Sequence, residues 1–314
     1  FWLFTRRHRR FNPGMRLLLV DGHYYAYRSF FAIMGLRNSA GEPTNAVFGF
    51  AKALRRMLVD LKPDRAAVVF DGGLPAARME LLPQYKQNRE EMPADLRIQL
   101  PRIESITSLL GWQKIIVEGH EADDVMASYA LQARSLGHEV IFATKDKDLM
   151  QLVDGSLKIY APGREDFELI DERGVQAKWG VSPAQIADLL ALTGDASDNI
   201  PGVPGIGPKT AAKLINEFGS LDALLQNAAL LKGKSGEALR THLDAVEVAR
   251  KMVRLETSLP LPVPFKELLI SPQYPELIAE LKRLEFKTLT REVETEAGQA
   301  TTKVPSSTHQ GELF

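Results

Sequence analysis

The alternation of short apolar runs with longer amphipathic segments between residues 15 and 170 constrains the fold of this chain most strongly. Buried-strand patterns occur at Arg16–Val20, Ala66–Phe70, Lys114–Val117, Glu139–Ala143 and Leu157–Tyr160. Helical patterns lie between them at Asn45–Leu61, Ala94–Leu110 and Ala122–Leu136. Strands that alternate with helices in this way form a parallel sheet with helices on both faces. We therefore expect an α/β domain over residues 15–174.

The second half of the chain reads as helical, because strand patterns nearly vanish after residue 171. Helical segments follow one another at Pro183–Thr193, Pro208–Phe218, Leu221–Gln226, Gly236–Thr257 and Pro275–Leu284. A helical domain over residues 175–291 is the expectation. Residues 1–14 show no period and are expected to be an unstructured extension. Residues 292–314 are polar and rich in Ser and Thr, which predicts a disordered tail or linker.

Acidic residues follow four consecutive strands of the predicted sheet. They are Asp21 after the first strand, Asp71 after the second, Glu121, Asp123 and Asp124 after the third, and Asp146 and Asp148 after the fourth. Asp195 and Asp198 form a further pair at the end of the helix that begins near Pro183. A single such acid is usually a turn residue or a helix cap, but capping does not explain four strand ends in succession. The ends of parallel strands meet at one edge of a sheet, so the sequence predicts one cluster of nine carboxylates.

A carboxylate cluster of this size needs cations, because neighbouring anions repel one another. The chain has no cysteine, which excludes disulfides, thiolate zinc sites and cysteine nucleophiles. Oxygen ligands alone suit Mg²⁺ or Mn²⁺, and nine carboxylates exceed the needs of one ion. Two ions roughly 3.5–4 Å apart stabilise in-line phosphoryl displacement, so phosphodiester hydrolysis is the predicted reaction. The net charge is −1, and the chain without these acids carries +8, which suits a polyanionic partner.

Residues 72–93 form a long connection between a strand and a helix, and long connections in compact domains are often functional. The segment mixes basic, aromatic and acidic side chains: Arg78, Tyr85, Lys86, Arg89, Glu80, Glu90 and Glu91. Basic and aromatic residues together can follow a phosphate backbone and stack on a base. Composition alone favours a solvated surface loop, because the acids balance much of the charge. Arg28 is another cation near the predicted metal cluster.

The glycine-rich stretch IPGVPGIGPKTAAKLI does not match the common phosphate-binding loops. A Walker-type loop is excluded because Pro208 precedes Lys209, and the dinucleotide fingerprint fails because Thr210 stands where its third glycine belongs. The pattern is typical of a helix-hairpin-helix, which grips a DNA backbone without reading its sequence. Its candidate DNA-binding residues are Gly202, Gly205, Gly207, Lys209, Thr210 and Lys213. A purely structural corner between two helices is the alternative.

Six sequence blocks resemble the bacterial 5′–3′ exonuclease and flap endonuclease family, in particular the N-terminal nuclease domain of DNA polymerase I. The blocks are VDGHYYAYRSF, VVFDG, YKQNR, EGHEADDV, TKDKDLMQL and TGDASDNIPGVPGIGPKTA, in order over residues 15–291. The resemblance implies a PIN/resolvase-like parallel sheet with a helical arch and a following helix-hairpin-helix domain. It also implies a two-metal enzyme that removes 5′ flaps and RNA primers in DNA replication and repair.

The resemblance also implies a role for each candidate residue. The first metal region would comprise Asp21, Asp71, Glu121, Asp123 and Asp124, with Asp146 and Asp148 between the sites and Asp195 and Asp198 at the second. Arg28, Lys86 and Arg89 would contact the scissile phosphate region, and Tyr85 would stack near the 5′ end. Residues 72–93 would form the arch, with Arg78 contacting DNA, and this replaces the interpretation as a surface loop. The hairpin would bind duplex DNA, with K⁺ in this family.

Several alternatives stay open from sequence. The chain is either a stand-alone nuclease or an N-terminal fragment of DNA polymerase I. A non-catalytic DNA-binding module is opposed by the nine acids, and a ribonuclease by the hairpin. Gln310, Leu313 and Phe314 resemble a peptide that docks on the sliding clamp, although Gly311 departs from that pattern and a chance match is the alternative. The resemblance implies a monomer in the bacterial cytoplasm, associated with the nucleoid. No membrane partner is expected, since no apolar run reaches the roughly 20 residues of a membrane helix.

Overall fold

The computed structural model describes residues 14–162 and 166–302. Contacts divide this part of the chain into two compact units. The first comprises residues 14–25, Lys62–Glu91 and Lys114–Leu269, and the second comprises Ala26–Leu61, Met92–Gln113 and residues 270–302. The change from strands to helices near residue 175 lies inside the first unit. None of the described helices combines the length and the apolar character needed to cross a membrane.

The first unit contains a six-stranded, mostly parallel sheet. Its strands are β1 (Arg16–Asp21), β2 (Arg65–Phe70), β3 (Gln113–Ile116), β4 (Glu139–Ala143), β5 (Leu157–Pro162) and β6 (Phe167–Ile170). Their order is β3-β2-β1-β4-β5-β6. Strands β2, β1, β4 and β5 run parallel to one another, and β6 runs antiparallel to β5. The five strands predicted from sequence are confirmed. The prediction missed β6, because the strand has only four residues and only Ile170 among them is buried.

Strand β1 lies at the point where the strand order reverses, with β2 on one side and β4 on the other. Its residues Leu17, Leu18, Leu19 and Val20 are fully buried, which explains why the strand reads as a continuous apolar run. Open α/β sheets bind ligands beyond the carboxyl ends of the strands at such a reversal. The fold therefore directs attention to the residues that follow β1, β2 and β4.

The described part of the chain contains fourteen α-helices. They are α1 (Gly22–Ala32), α2 (Asn45–Leu61), α3 (Ala76–Leu81), α4 (Ala94–Arg97), α5 (Leu100–Leu109), α6 (Ala122–Ser135), α7 (Glu172–Trp179), α8 (Ile186–Thr193), α9 (Pro208–Phe218), α10 (Leu221–Gln226), α11 (Gly233–Thr241), α12 (Leu243–Val253), α13 (Tyr274–Arg283) and α14 (Lys287–Thr302). In the first unit, Leu17 and Phe142 of the sheet share one hydrophobic cluster with Leu189, Ile215 and Met252 of the later helices. The sheet and these helices therefore have a common core.

Two helices predicted as continuous are each divided in the structure. The pattern over residues 94–110 separates into α4 and α5, because Pro101 has no N–H to donate and fits the first turn of a new helix. The pattern over residues 236–257 breaks at His242. The ring nitrogen Nδ1 of His242 lies 2.8 Å from the carbonyl oxygen of Ala238, which a continuous helix would pair with the His242 N–H.

Helix α14 continues to Thr302, whereas the sequence predicts a disordered tail from Glu292. The second unit explains the difference. Val293 is fully buried, and Arg55 of α2 forms ion pairs with Glu296 at 2.7 Å and Glu292 at 3.3 Å. The polar composition of this stretch gave no sign that Val293 is buried or that Glu292 and Glu296 both pair with Arg55. The predictions for residues 1–13 and 303–314 lie outside the described residues.

Candidate metal centre

Acids from three strand ends of the first unit meet beside β1. Asp21 ends β1, Asp71 directly follows β2, and Asp146 lies in the loop after β4. Asp21 accepts a hydrogen bond from the N–H of Tyr24 at 2.9 Å, which fixes its carboxylate at the start of α1. The charges of Asp71 and Asp146 both act on Asp21. The structure thus brings together side chains that are far apart in the sequence.

Thr144 links two of these acids and was not identified from the sequence. Its buried hydroxyl donates to Asp21 Oδ2 at 3.0 Å and accepts the N–H of Asp146 at 3.1 Å. Asp146 Oδ1 in turn accepts the N–H of Asp148 at 2.7 Å. This chain of hydrogen bonds fixes the loop after β4. The sequence feature that could have identified Thr144 is its position, since it is a hydroxyl residue directly after the buried strand β4.

Asp148, Asp195 and Asp198 form the tightest group of acids. Each offers a carboxylate oxygen, and these oxygens lie within 4.8 Å of one another. One oxygen of this group, Asp148 Oδ1, is buried and has no hydrogen-bond partner among the described residues. A buried carboxylate oxygen without a donor is costly, and a cation would supply the missing interaction.

The loop that carries Asp195 and Asp198 depends on glycine. Gly194 has φ 67°, and a Cβ atom there would lie 2.3 Å from the backbone nitrogen of Gly202. Asp195 and Ile200 exchange two backbone hydrogen bonds of 2.8 Å across the loop. Only glycine at position 194 allows this tight closure without a clash. The closure holds both aspartates close to Asp148.

Most acids around the strand ends are held in an unfavourable environment for charge. Burial raises the pKa of Asp21 to about 7, with further contributions from Asp71 and Asp146. Burial and neighbouring acids raise the pKa of Asp123 and of Asp148 well above the ordinary value. Burial also raises the pKa of Asp146, against the opposing hydrogen bond from the Asp148 N–H. Divalent cations bound among these acids would favour the charged form of each carboxylate and so oppose the effects of burial and repulsion.

Two acids differ from this pattern because each has a cationic or donor neighbour. Burial opposes ionisation of Asp71, but His23 and the N–H of Ala122, at 2.9 Å, bring the pKa of Asp71 down to about 2. His23 Nδ1 lies 3.2 Å from Asp71 Oδ2. Lys147, 2.5 Å from Asp195 Oδ1, lowers the pKa of Asp195 against the effect of burial. Neither His23 nor Lys147 is among the site residues predicted from the sequence.

The basic segment of residues 72–93 packs against the acids. Lys86 Nζ contacts Glu121 and lies 3.6 Å from Asp198 Oδ2, while Arg89 Nη2 lies 2.6 Å from Asp198 Oδ1. The hydroxyl of Tyr85 lies 3.1 Å from Glu121 Oε2 and 3.2 Å from Asp198 Oδ2. Burial raises the pKa of Tyr85, whose ring is almost fully enclosed. The interpretation as a solvated surface loop is therefore wrong for Tyr85 and Lys86, which pack against the acids, whereas residues 87–91 are exposed.

Glu121 and Asp124, at the start of α6, bind Arg78 of α3. The guanidinium of Arg78 forms two hydrogen bonds with Asp124, of 2.7 and 2.8 Å, and a third with Glu121. Asp123, between them in the sequence, interacts instead with the charges of Asp146 and Asp21. The nine predicted acids thus divide between a cluster at the strand ends and contacts with the basic segment. Arg28 is exposed on α1, in the second unit.

Helices α8 and α9 form the predicted helix-hairpin-helix. Val203 and Ile206 are buried and anchor the hairpin, and a Cβ at Gly202 would lie 2.2 Å from the backbone of Thr193. Gly205 has φ 80°. The outward residues of the hairpin and α9 are exposed or half-buried: Gly205, Gly207, Lys209, Thr210 and Lys213. The first-turn amides of α9 and two lysines thus face solvent at the positive end of the helix.

A mostly parallel sheet with carboxylates at its switch point, followed by a helix-hairpin-helix, defines a resolvase-like α/β domain with a helical extension. The family model described as "5'-3' exonuclease, N-terminal resolvase-like domain" matches residues 16–180. The model "5'-3' exonuclease, C-terminal SAM fold" matches residues 181–276. The chain belongs to the 5′–3′ exonuclease family, as the sequence blocks predicted.

Curated relatives support this assignment. DNA polymerase I, thermostable, of Thermus aquaticus is 44% identical over 282 residues, which cover 90% of this chain and 33% of that protein. DNA polymerase I of Rhizobium leguminosarum is 41% identical over 296 residues, which cover 91% of this chain and 29% of that protein. The chain therefore spans about a third of the length of these relatives.

Solved structures of low sequence identity share the fold. The 5′-exonuclease of bacteriophage T5 with bound zinc ions has a TM-score of 0.67 and 20% identity, covering 89% of this chain and 98% of that chain. The catalytic core of Rad2 in complex with a DNA substrate has a TM-score of 0.58 and 19% identity, covering 90% of this chain and 91% of that chain. The predicted fold class is confirmed by these matches together with the family models.

Proposed function

We propose that this chain is a 5′–3′ exonuclease and 5′ flap endonuclease that hydrolyses phosphodiester bonds of DNA with two divalent metal ions. The observation that carries the proposal is the buried, unpartnered Oδ1 of Asp148 within reach of the Asp195 and Asp198 carboxylates. Family membership supports the activity, and the two solved relatives are described with metal ions or with a DNA substrate.

The donor set fits a hard divalent cation. The acids offer only oxygen ligands, and the chain has no cysteine that could add a thiolate. This ligand chemistry favours Mg²⁺ or Mn²⁺. The residues that we assign to the ions are Asp21, Asp71, Asp123, Asp146, Asp148, Asp195 and Asp198. Glu121, which the sequence also predicted as a ligand, is left out because its carboxylate already binds Arg78, Lys86 and Tyr85. When bound, two such ions polarise the scissile phosphate and provide a water nucleophile of lowered pKa.

The cations of the basic segment would bind the phosphate beside these acids. Lys86 and Arg89 are now paired with Glu121 and Asp198, and a substrate phosphate offers them a competing anionic partner. Positive side chains at this position stabilise the extra negative charge of the transition state. Arg28, on α1, is the further cation that we assign to the scissile phosphate region. Tyr85 is assigned to the 5′-terminal base, a role that requires the segment around its buried ring to open when the substrate binds.

The remaining assignments concern how the substrate is held. We assign duplex DNA to the hairpin of α8 and α9, with K⁺ as the bound ion there. Nicks, 5′ flaps and RNA primers are the proposed substrates in replication and repair, and a monomer in the bacterial cytoplasm is the proposed form. Docking on the sliding clamp through Gln310, Leu313 and Phe314 also remains a proposal, because these residues lie outside the described part of the chain.

The metal requirement tests the proposed function directly. The protein should cleave a 5′-labelled flap substrate with Mg²⁺ or Mn²⁺, lose this activity in EDTA and regain it when the metal is restored. The products on a denaturing gel would separate release of whole flaps from release of single nucleotides. Full cleavage in EDTA would exclude the two-metal mechanism, and no cleavage of flaps, nicks or primers with metal would exclude the function.

Lys209→Ala tests the hairpin. The Lys209 side chain is exposed in the first turn of α9, so its loss should leave the fold intact and remove one phosphate contact. We expect weaker duplex binding and a salt dependence of affinity that is flatter by about one unit of slope. Binding would be measured by fluorescence anisotropy over a range of KCl concentrations. A Lys266→Ala variant is the matched control, and an unchanged slope for Lys209→Ala would show that the hairpin does not hold the duplex.

A further inference from the structure

We propose that Asp124 is a positioning residue rather than a metal ligand, and that its ion pair with Arg78 anchors the basic segment to the start of α6. The inference rests on the proposed function, since it assigns a role in the same active site. It separates Asp124 from the acids that hold the metal ions. It also removes Arg78 from the residues that contact DNA.

Donors occupy three of the roughly four acceptor positions of the Asp124 carboxylate. Oδ1 accepts from Arg78 Nη2 at 2.8 Å and from the N–H of Glu256 at 2.8 Å, and Oδ2 accepts from Arg78 Nη1 at 2.7 Å. Asp148 provides the contrast, because its buried Oδ1 has no donor among the described residues. A carboxylate held by a guanidinium and an amide has its charge compensated within the protein. It has little left to offer a metal ion.

Arg78 is equally committed. Its side chain is only 14% exposed, and besides the two aspartate bonds it contacts Glu121 and the carbonyl oxygen of Arg254 at 3.2 Å. One guanidinium therefore connects α3, the first turn of α6 and the chain just after α12. A side chain buried in three such contacts is not available for a DNA backbone.

The anchor lies close to the cation that we assign to the phosphate. Glu121 receives both Arg78 and Lys86, and Lys86 follows Arg78 by eight residues in the same basic segment. Lys86 also has φ 56°, and its N–H donates to the carbonyl oxygen of Asp198 at 3.0 Å. A non-glycine residue adopts this backbone conformation only where its surroundings impose it. The Asp124–Arg78 pair is thus placed to define the position of Lys86 over the metal centre.

Removal of either partner should loosen the segment without removing a metal site. Without Asp124, Arg78 would keep Glu121 as its charged partner, and without Arg78, Asp124 would keep only the N–H of Glu256. Either change leaves a buried charge with less compensation, which a protein relieves by opening locally. Lys86 would then be displaced, and small displacements of a catalytic group slow chemistry strongly. Metal binding at the strand ends would be preserved, because the acids there have their own contacts through Thr144 and Lys147.

The test compares Asp124→Asn with Asp148→Asn, two changes of the same chemistry at acids to which we assign different roles. Mn²⁺ binding would be measured by electron paramagnetic resonance of the free ion, and trypsin cleavage after Lys86 and Arg89 would be followed in EDTA. Asp124→Asn should keep the wild-type number of bound ions and their affinity while trypsin cleavage of the segment accelerates roughly tenfold. Asp148→Asn should lose Mn²⁺ affinity without faster proteolysis of the segment.

Arg78→Gln and the double variant Asp124→Asn with Arg78→Gln complete the experiment. If the two residues act as one unit, the double variant should lose no more flap cleavage than the more affected single variant. Thermal melts identify any variant that fails to fold, and in that case Arg78→Lys keeps the charge while it disrupts the two-point contact. Loss of a bound Mn²⁺ ion in Asp124→Asn, or unchanged proteolysis in both single variants, would overturn the proposal. The binding and proteolysis measurements need no nuclease activity. An inactive wild-type protein would therefore contradict the proposed function but not the role inferred for Asp124.

Discussion

Asp148→Asn is expected to lower flap cleavage by about 10³-fold or more at saturating Mg²⁺, because two-metal hydrolysis takes several kcal/mol of transition-state stabilisation from its ions. Asp148 Oδ1 is the buried carboxylate oxygen without a donor, and its neighbours Asp195 and Asp198 complete the tightest acidic group. An asparagine has the same shape and keeps an oxygen. It lacks the charge that a divalent ion requires from its ligands.

The same substitution should stabilise the protein when no metal is present. Burial and the surrounding acids raise the pKa of Asp148 well above its ordinary value, so ionisation of this group at neutral pH opposes folding. Removal of the charge should increase the free energy of unfolding in EDTA by on the order of 1 kcal/mol, or roughly 2 °C in melting temperature. The ionised group destabilises above its unfolded pKa, and protonation relieves the penalty as the pH falls through the raised folded pKa. The gain should therefore be large near about pH 8 and shrink near about pH 5.

Single-turnover cleavage of a labelled flap and thermal melts in EDTA at the two pH values would measure both effects. Glu237→Gln, at an exposed position in the middle of α11, is a control that should change neither quantity. Wild-type cleavage by Asp148→Asn would exclude Asp148 from the metal centre. A variant that melts lower than the wild type in EDTA at the higher pH would show that repulsion within the cluster is not the dominant cost.

Features of this structure that produce a local sequence pattern could be predicted, and features that depend on one or two buried side chains could not. Strand β1 was predictable because burial on both faces makes its sequence a continuous apolar run. The acids after β1, β2 and β4 were predictable because parallel strands align their carboxyl ends. Strand β6 and the helical continuation through Val293 were not, since each depends on one or two buried side chains within a polar stretch.

The contacts around the acids were harder to predict from the sequence than the acids themselves. Thr144, His23 and Lys147 act through partners that only the folded chain brings close. The same reason explains why composition favoured a solvated loop for residues 72–93. Tyr85 is buried against Glu121 and Asp198, which are 36 and 113 residues away in the sequence. The numbers of acidic and basic residues within the segment do not reveal partners that lie so far away in the sequence.

Lys86→Ala is expected to slow the chemical step by about 10²- to 10³-fold, which is the typical cost of one lost donor to a developing negative charge. The Lys86 side chain is 10% exposed and carries its ammonium group to Glu121, with Asp198 at 3.6 Å. Flap binding should change little, because the duplex is assigned to the hairpin of α8 and α9. The effect should therefore fall on the single-turnover rate with saturating enzyme, with a dissociation constant close to that of the wild type.

The position of Lys86 makes a second measurement necessary. Its removal leaves Glu121 with Arg78 and Asp198 with Arg89 as their remaining cations, so the acids keep partial compensation and the fold should persist. Lys86→Arg retains the charge and should recover part of the rate, since charge rather than shape carries this contribution. A rate close to that of Lys266→Ala, the exposed control, would exclude Lys86 from the chemistry. A loss that appears only in binding, with an unchanged single-turnover rate, would reassign Lys86 from the transition state to substrate capture.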